Sequence, residues 1–249
     1  MWSEIVALYR ASKKQHDVNW FTEHVARPPA AAVVYFTAKT RITPNQLTFL
    51  SVVVAAAACA LWIAVPGYLG SVLAALVFEA SFVLDCADGQ LARHRKISSP
   101  LGHLLDFLMD ELKAMLVLSS IAVRLWLSSG EPYLLLAGLG GLFCLAAGIS
   151  LTTFTRRPEY APPASTAATR APRRGPIAWV EAVARFFVHY PQYIWICAVA
   201  DRMDVFFWIY LGVNALYLAR TLAGVILKLG RFAPPTPATP PATAPEPTP

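Results

Sequence analysis

Four aspartates in the segment DCADGQLARHRKISSPLGHLLDFLMD, residues 85–110, have the spacing that a divalent metal site requires. Asp85 and Asp88 are three residues apart, and Asp106 and Asp110 are four apart, so each pair lies on one face of a helix. Four carboxylates held together repel one another, and burying each charge costs several kcal/mol. Hard divalent cations such as magnesium, manganese or calcium offset this repulsion because they prefer oxygen ligands. Two such ions, about 3.5–4 Å apart, would suit transfer chemistry at a phosphate.

The residues between the two aspartate pairs are those expected of a pyrophosphate site. Gly89 and Ala92 lack bulk, so the backbone and a ligand can approach each other closely. Gly102 leaves room on the facing helix, and Arg93, one turn past Gly89, offers a fork of donors to a phosphate. Asp110 could bind metal and could also accept a proton from an attacking hydroxyl.

The helices that carry these residues are predicted to lie in a membrane. The chain of 249 residues is 56% hydrophobic and 14% charged, with a mean hydropathy of +0.49, whereas globular domains carry about 25% charged residues. The start, MWSEIVALYRASKKQHDVNW, is polar and amphipathic, so no signal peptide is expected. A span needs about 20 apolar residues, and six stretches qualify: roughly 46–66, 68–88, 101–127, 133–154, 178–200 and 205–227.

Basic residues are distributed asymmetrically between the predicted loops. They precede the first span and follow spans two, four and six, whereas Arg202 is the one basic residue in the three alternate loops. The positive-inside rule then places both termini and the aspartates in the cytoplasm. We expect a multi-pass protein of a bacterial-type inner membrane. The net charge of +6 is explained by these loops, and no nucleic-acid partner is expected because no aromatic-basic module appears.

Three regions are predicted along the chain. Residues 1–41 form an interfacial amphipathic N-terminal region, in which Pro28 and Pro29 are expected to separate two helices. Residues 42–231 form a six-helix transmembrane catalytic domain, and 232–249 a Pro-rich tail that cannot build a core and should be disordered. The predicted fold class is therefore an all-α integral membrane protein, with six transmembrane helices preceded by an interfacial amphipathic helix.

The aspartate segment resembles the signature of the class I CDP-alcohol phosphotransferase family, also called the CDP-alcohol phosphatidyltransferase family. That signature is D-x2-D-G-x2-A-R-x8-G-x3-D-x3-D, and the resemblance extends over about residues 26–229. All its fixed positions match: Asp85, Asp88, Gly89, Ala92, Arg93, Gly102, Asp106 and Asp110.

The resemblance implies a metal-dependent transfer of a substituted phosphate group in phospholipid biosynthesis. The donor would be a CDP-alcohol, the acceptor an alcohol hydroxyl, and CMP would be released. The four aspartates would hold two Mg²⁺ ions, or Mn²⁺ in their place, on the pyrophosphate. Asp110 would be the general base, a membrane lipid would take part in the reaction, and the protein would be a homodimer.

A second element, TRITPNQLTFLS, lies at the start of the first span. It resembles a T-P-N-x-x-T element of the same family, which implies that Asn45 and Thr48 contact the nucleotide. Taken without the resemblance, TPN indicates only a helix start. Ser99 occupies a position that contacts the donor in similar enzymes, and a helix cap is the alternative role for this serine.

The donor is left open between two classes of compound. CDP-diacylglycerol is the first candidate, because membrane location favours a lipid on one side of the reaction, although it does not decide whether the lipid is the donor or the acceptor. The segment from DVNWFTEHVARP to TPNQLT, however, resembles enzymes that join CDP-inositol to inositol phosphate, and this favours a soluble CDP-polyol. Outside the family chemistry, the aspartates could serve as the ion site of a cation transporter, or the protein could be a catalytically inactive scaffold.

The sequence does not name the acceptor, but it offers several charged candidates. Lys113 could contact an acceptor phosphate or pair with an aspartate. Arg156 and Arg157 could bind the acceptor or simply mark a cytoplasmic loop, and Arg220 could line a cavity. Glu79 lies in the middle of a span, where it would be either a pocket residue or a member of an interhelical hydrogen bond.

Overall fold

The part of the chain that the structure describes is built from helices. A computed structural model describes residues 2–11, 20–97, 99–155, 157 and 186–227. A π-helical turn, Thr22–Ala26, precedes the second α-helix. The α-helices are α1 (Trp2–Ala11), α2 (Arg27–Thr37), α3 (Pro44–Ala64), α4 (Gly67–His94), α5 (Pro100–Ser129), α6 (Tyr133–Thr155), α7 (Pro191–Val199) and α8 (Met203–Ile226).

Within these residues, five helices are long and apolar enough to cross a membrane: α3, α4, α5, α6 and α8. The predicted class, an all-α integral membrane protein, is confirmed. The predicted span 178–200 begins outside the described residues, and its described part contains α7. The sixth crossing therefore stays a prediction, and the predicted tail, 232–249, also lies outside the described residues.

The packing of α6 against α8 bears on this sixth crossing. A Cβ on Gly141 would lie 3.5 Å from Leu211, and one on Gly148 would lie 2.9 Å from the ring of Tyr217. Residue numbers thus increase in the same direction along both helices, so α6 and α8 run parallel. This parallel direction is what the predicted sixth crossing requires, and α7 lies between α6 and α8 along the chain.

The helices α4 and α5 are longer than a single crossing requires. They contain 28 and 30 residues, whereas about 20 residues span the hydrocarbon. The aspartates lie in the last ten residues of α4 and the first eleven of α5. The extra turns can therefore carry the four carboxylates at the membrane surface instead of the bilayer centre, where charge is expensive.

The helix α3 packs against both α4 and α5, and the three helices are tied together at the end remote from the aspartates. There the guanidinium of Arg124 donates to the carbonyl oxygens of Trp62 at 2.9 Å, Val65 at 2.7 Å and Gly67 at 2.8 Å. These carbonyls belong to the end of α3, the turn after it and the first residue of α4. Large buried side chains, among them Trp62 and Phe78, fill the interior between the helices.

The N-terminal helix α2 packs on the aspartate end of α3 and α4. Its apolar face is fully buried, and the contacts combine small and branched side chains that let the helices approach closely. The cluster consists of Ala30, Val34, Leu47, Ala87 and Leu91. The N-terminal region is thus joined to the helices that carry the candidate site.

The prediction that Pro28 and Pro29 separate two helices is wrong. The helical backbone runs without interruption from residue 20 to residue 37, and the prolines lie in the first turn of α2. In the π-helical turn just before them, the amide of Arg27 donates to the carbonyl of Thr22, five residues back. A proline ring clashes with the carbonyl four residues back in a regular α-helix, and the wider π turn relieves that clash.

Candidate active site

Three of the four aspartates meet where α4 ends and α5 begins. Carboxylate oxygens of Asp85, Asp88 and Asp106 all lie within 4.8 Å of one another. Asp88 is buried, and the other two are partly buried. Asp110 is not one of these three, and its side chain is 55% exposed. Asp106 of the second predicted pair therefore faces the first pair, and Asp110 lies at the margin of the cluster.

Lys113 links the two helices that carry the aspartates. Its ammonium contacts the carboxylate of Asp85 on α4 and lies 2.8 Å from a carboxylate oxygen of Asp110 on its own helix. The Lys113 side chain is only 4% exposed. Of the two roles left open by the sequence, the structure shows the pairing with aspartate, and this pairing keeps Asp110 beside the cluster.

The first turns of α3 provide a hydroxyl to the same cluster. Thr43 and Gln46 form a reciprocal capping box that starts α3. One turn later, the Thr48 hydroxyl donates to the carboxylate of Asp88. Thr48 is buried, so this bond ties α3 to α4 at the level of the aspartates. The structure thus shows the helix start that TPN alone indicates. The contact with Asp88 gives Thr48 a further role, which is to orient that carboxylate.

Asn45, Ser99 and Gly102 lie together on the outer side of the cluster. A Cβ on Gly102 would lie 3.2 Å from the Ser99 hydroxyl oxygen and 3.9 Å from the Asn45 side-chain oxygen. The Ser99 hydroxyl accepts the amide of Gly102 at 3.0 Å and caps α5. Gly102 thus keeps a narrow space open between α3 and α5. Of the two roles considered for Ser99, the structure shows the helix cap.

Arg93 folds back along α4 over Gly89. A Cβ on Gly89 would lie 3.3 Å from a terminal nitrogen of the Arg93 guanidinium. The missing side chain of Gly89 therefore makes room for the guanidinium. Ala92 precedes Arg93 and adds little bulk on the same helix. Gly89 follows Asp88 directly, and Ala92 and Arg93 lie about one turn later on the same helix.

A cavity of about 280 Å³ opens beside Asp110 and Lys113. Its walls combine aromatic and aliphatic side chains and come from α4, α5, α6, α8 and the segment that leads into α7. Besides Asp110 and Lys113, its polar lining consists of Ser81, Glu111, His189 and the buried Asn214. Such a cavity, mostly apolar with a few polar groups, is typical of a small-molecule site.

His189 and Asn214 were not singled out from the sequence. A nitrogen of the His189 ring lies 3.2 Å from the hydroxyl of Thr22, with the proton position set by the tautomer. The Asn214 amide donates to the Tyr210 carbonyl at 2.8 Å. Asn214 could have been found as a polar residue inside the apolar run IYLGVNALYLA. His189 had no such signal, because only the fold brings it to the cavity that Asp110 also lines.

The other charged candidates lie apart from the cavity lining. Arg157 and Arg220 are exposed and do not line the cavity, and Arg156 lies outside the described residues. Glu79 does not line it either. One buried oxygen of Glu79 has no hydrogen-bond partner within the described part of the chain, so neither role proposed for it from the sequence is found for that atom.

The chemistry of the donor set fits a hard divalent cation. Asp85, Asp88 and Asp106 offer only carboxylate oxygens, and oxygen ligands suit magnesium, manganese and calcium better than zinc. Thr48 and Lys113 orient two of these carboxylates. The cluster could therefore hold a metal ion.

A helical membrane protein with an acidic cluster beside an internal cavity is the class that fold and site define. The sequence model of the family described as CDP-alcohol phosphatidyltransferase matches residues 41–212. This match covers more than half of the chain, and the protein belongs to the CDP-alcohol phosphatidyltransferase family. The matched region contains the four aspartates, α3 to α7 and the first part of α8.

One relative is archaetidylinositol phosphate synthase from Aeropyrum pernix. It is 32% identical to this chain over 112 residues, which are 45% of this chain and 54% of the relative. The match thus spans about half the length of that relative.

Proposed function

We propose that the protein transfers a substituted phosphate group from a CDP-alcohol, CDP-diacylglycerol in the first instance, to an acceptor hydroxyl and releases CMP. The observation that carries this proposal is the convergence of Asp85, Asp88 and Asp106 next to a cavity that Asp110 lines. Membership of the family supports the reaction class. The relative is named for making archaetidylinositol phosphate, which favours a lipid-linked donor over a soluble CDP-polyol such as CDP-inositol.

We assign the four aspartates as the ligands of two Mg²⁺ ions, which Mn²⁺ could replace. When bound, such ions would polarise phosphoryl oxygens and offset the charge that develops on the leaving phosphate. The contribution of the protein is to hold the carboxylates in place. Thr48 orients Asp88, and Lys113 restrains Asp85 and Asp110.

The CDP group of the donor would bind where the ends of α3, α4 and α5 meet. The Arg93 guanidinium, lying over Gly89, suits bidentate contact with a phosphate. The small residues let the nucleotide approach the helices closely. The residues assigned to CDP binding are Asn45, Thr48, Asp88, Gly89, Ala92, Arg93, Ser99 and Gly102.

We assign Asp110 as the general base. It combines the two properties that this role requires: it borders the cavity, and its side chain is 55% exposed to a solute. The acceptor hydroxyl would give its proton to the Asp110 carboxylate while its oxygen attacks the β-phosphorus. The bond from that phosphorus to the CMP oxygen breaks, and CMP leaves with the electron pair.

The acceptor would enter the cavity. Its volume of about 280 Å³ is just below the range of about 300–1,000 Å³ that holds drug-sized ligands, which favours a small polar alcohol. Lys113 lines the cavity. Contacts from Arg156, Arg157 and Arg220 to an acceptor phosphate remain part of the proposal.

We also propose the setting in which this site works. The asymmetry of basic residues supports a bacterial-type inner membrane with both termini and the active site in the cytoplasm. Residues 1–41 would lie at the membrane interface, 42–231 would form the catalytic domain, and 232–249 a disordered tail. The family resemblance supports a homodimer.

The test is CMP release by the protein purified in detergent. We would offer labelled CDP-diacylglycerol or CDP-inositol with a panel of acceptors that begins with inositol phosphate. We expect CMP from CDP-diacylglycerol, only in the presence of Mg²⁺ or Mn²⁺. Release from CDP-inositol alone would select the soluble donor. No CMP from either donor with any acceptor or metal would refute the proposal, and cation uptake into liposomes without nucleotide would favour a transporter.

A further inference from the structure

The guanidinium of Arg95 gathers the carbonyl oxygens of the turn that leads into α3. One terminal nitrogen donates to the carbonyl of Ile42 at 2.6 Å. The other donates to the carbonyls of Thr37 and Thr40, each at 2.9 Å, and of Ala38 at 3.3 Å. Thr37 ends α2, so the cation also meets the negative end of that helix. Arg95 thus joins the end of α4 to the entire α2–α3 connection.

The backbone of Arg95 is itself firmly placed. It caps the end of α4, and Lys96 after it has a φ of +56°. The amide of Lys96 donates to the Arg93 carbonyl at 3.1 Å, and that of Ile97 to the Ala92 carbonyl at 3.0 Å. These two bonds are the Schellman motif that ends a helix. The backbone from which the Arg95 side chain extends is therefore fixed, two residues after Arg93 at the end of α4.

The segment held by Arg95 leads directly into the candidate nucleotide site. Ile42 precedes Thr43, which caps α3, and Asn45 follows in the first turn. The Asn45 side-chain oxygen lies 3.9 Å from the position of a Cβ on Gly102. Any shift of the held turn would change the position of Asn45 relative to α5.

The second turn of α3 has an anchor of its own. Thr48 bonds to Asp88 and is buried. Loss of the Arg95 bonds would therefore loosen the first turn of α3 and leave the carboxylate cluster in place. This separation predicts a defect in donor binding and not in the chemical step.

We propose that Arg95 is a positioning residue for the nucleotide site, acting through the α2–α3 turn to hold Asn45 toward α5. This proposal rests on the donor-binding role proposed for Asn45. An arginine is needed here because its planar, forked guanidinium donates hydrogen bonds to four carbonyl oxygens at once. A lysine ammonium, a point charge with three donors, could satisfy only part of this set.

The chain offers a matched control at the opposite end of α3. Arg124 makes the same kind of contact there, with three carbonyl oxygens at the α3–α4 turn. Its loss should lower stability without disturbing the nucleotide site. If only the loss of Arg95 weakens donor binding, Arg95 positions the nucleotide site and does not merely stabilise the fold.

The experiment compares Arg95→Gln, Arg95→Lys and Arg124→Gln with the unmodified protein in detergent. Donor KM and kcat are measured from CMP release, and amide hydrogen exchange is followed over residues 38–46. We expect Arg95→Gln to raise the donor KM about tenfold, with kcat changed less than about threefold, as for a small misplacement of a binding group. Arg95→Lys should recover part of the loss, and Arg124→Gln should leave the donor KM unchanged.

Hydrogen exchange keeps this inference separate from the proposed function. Residues 38–46 should exchange faster in Arg95→Gln, but not in Arg124→Gln. If the unmodified protein releases no CMP, the proposed reaction fails and exchange alone decides on the Arg95 contacts. Unchanged exchange in Arg95→Gln, an unchanged KM, or kinetics equal to those of Arg124→Gln would overturn the proposal. Should Arg95→Gln not fold, Arg95→Lys provides the same comparison with a smaller effect.

Discussion

Lys113 of α5 reaches across the helix interface to the carboxylate of Asp85 on α4, and the two side chains are only 4% and 12% exposed. A buried ion pair of this kind costs much to break, because removing one partner leaves the other charge without compensation. Lys113 also pairs with Asp110 at 2.8 Å. The position of α5 relative to α4 at this end of the helices is therefore coupled to the charge of the cluster.

The coupling predicts a metal-dependent effect of Lys113→Met. In EDTA we expect the free energy of unfolding to fall by about 3 kcal/mol, because Asp85 stays buried without its partner. A divalent cation in the cluster would replace the lost positive charge, so Mg²⁺ should restore much of this loss. Thermal unfolding in detergent measures both conditions, with Lys113→Arg as the variant that keeps the charge. An equal loss with and without Mg²⁺ would count against a cation at this position.

Removal of one carboxylate should abolish stabilisation by Mg²⁺. Binding to the folded state alone stabilises a protein by about 2.7 kcal/mol when the ligand is a hundredfold above its Kd. We expect this gain in the unmodified protein and its loss in Asp106→Asn. Asp204→Asn is the control, because Asp204 lies on α8, which carries none of the four aspartates. Its exposed side chain pairs with Arg202 at 3.0 Å. If Asp106→Asn kept the full Mg²⁺-dependent shift in unfolding temperature, the metal assignment would be wrong.

Asp110→Asn tests the assignment of the general base. An amide cannot accept the proton of the acceptor hydroxyl, so kcat for CMP release should fall at least about a hundredfold. Donor binding, measured by equilibrium titration, should change much less. Glu131→Gln, outside the cavity at the exposed start of the α5–α6 connection, is the matched control. If Asp110→Asn turned over at a nearly normal rate, the general base would be a group other than Asp110.

Two glycines of α6 should respond in opposite ways to the same substitution. A Cβ on Gly138 would lie 2.6 Å from the Cβ of Ala122 on α5, whereas one on Gly140 meets nothing within 4 Å. We expect Gly138→Ala to destabilise the protein by about 1–3 kcal/mol through overpacking. Gly140→Ala should be neutral, or stabilising by up to about 1 kcal/mol because alanine favours the helix. Thermal unfolding of both variants gives the comparison, and equal effects would contradict the close packing of α5 and α6.

The membrane class and the family could be predicted from the sequence, and both are confirmed. Long apolar runs identify the spanning helices, because the cost of placing polar groups in hydrocarbon acts on each segment separately. The effect of the two prolines in α2 was predicted wrongly, because the rule that proline breaks a helix describes a regular α-helix. Pro28 and Pro29 are accommodated by a π-helical turn, and such a turn has no comparable signal in the sequence.

Within the candidate site, the spacing of residues predicted which side chains share a helix face, and three of the four aspartates do converge. The roles assigned to these residues stay predictions. Spacing could not choose between the two roles of Lys113, nor reveal that Arg95 holds the turn before α3. Those choices depend on how far one helix is rotated against another, which no local pattern encodes.

The sequence by itself determined the class of the molecule, its family and the carboxylates that could bind metal, because hydropathy and helical spacing are local properties. The tertiary structure alone decided that Lys113 bridges Asp85 and Asp110, that His189 and Asn214 line a cavity beside them, and that Arg95 connects α4 to the start of α3. Apart from the Lys113–Asp110 pair, which lies within one turn of α5, these relationships join residues far apart in the chain. They arise from the packing of whole helices, in which buried charges and carbonyl oxygens must find partners wherever the fold brings one within reach.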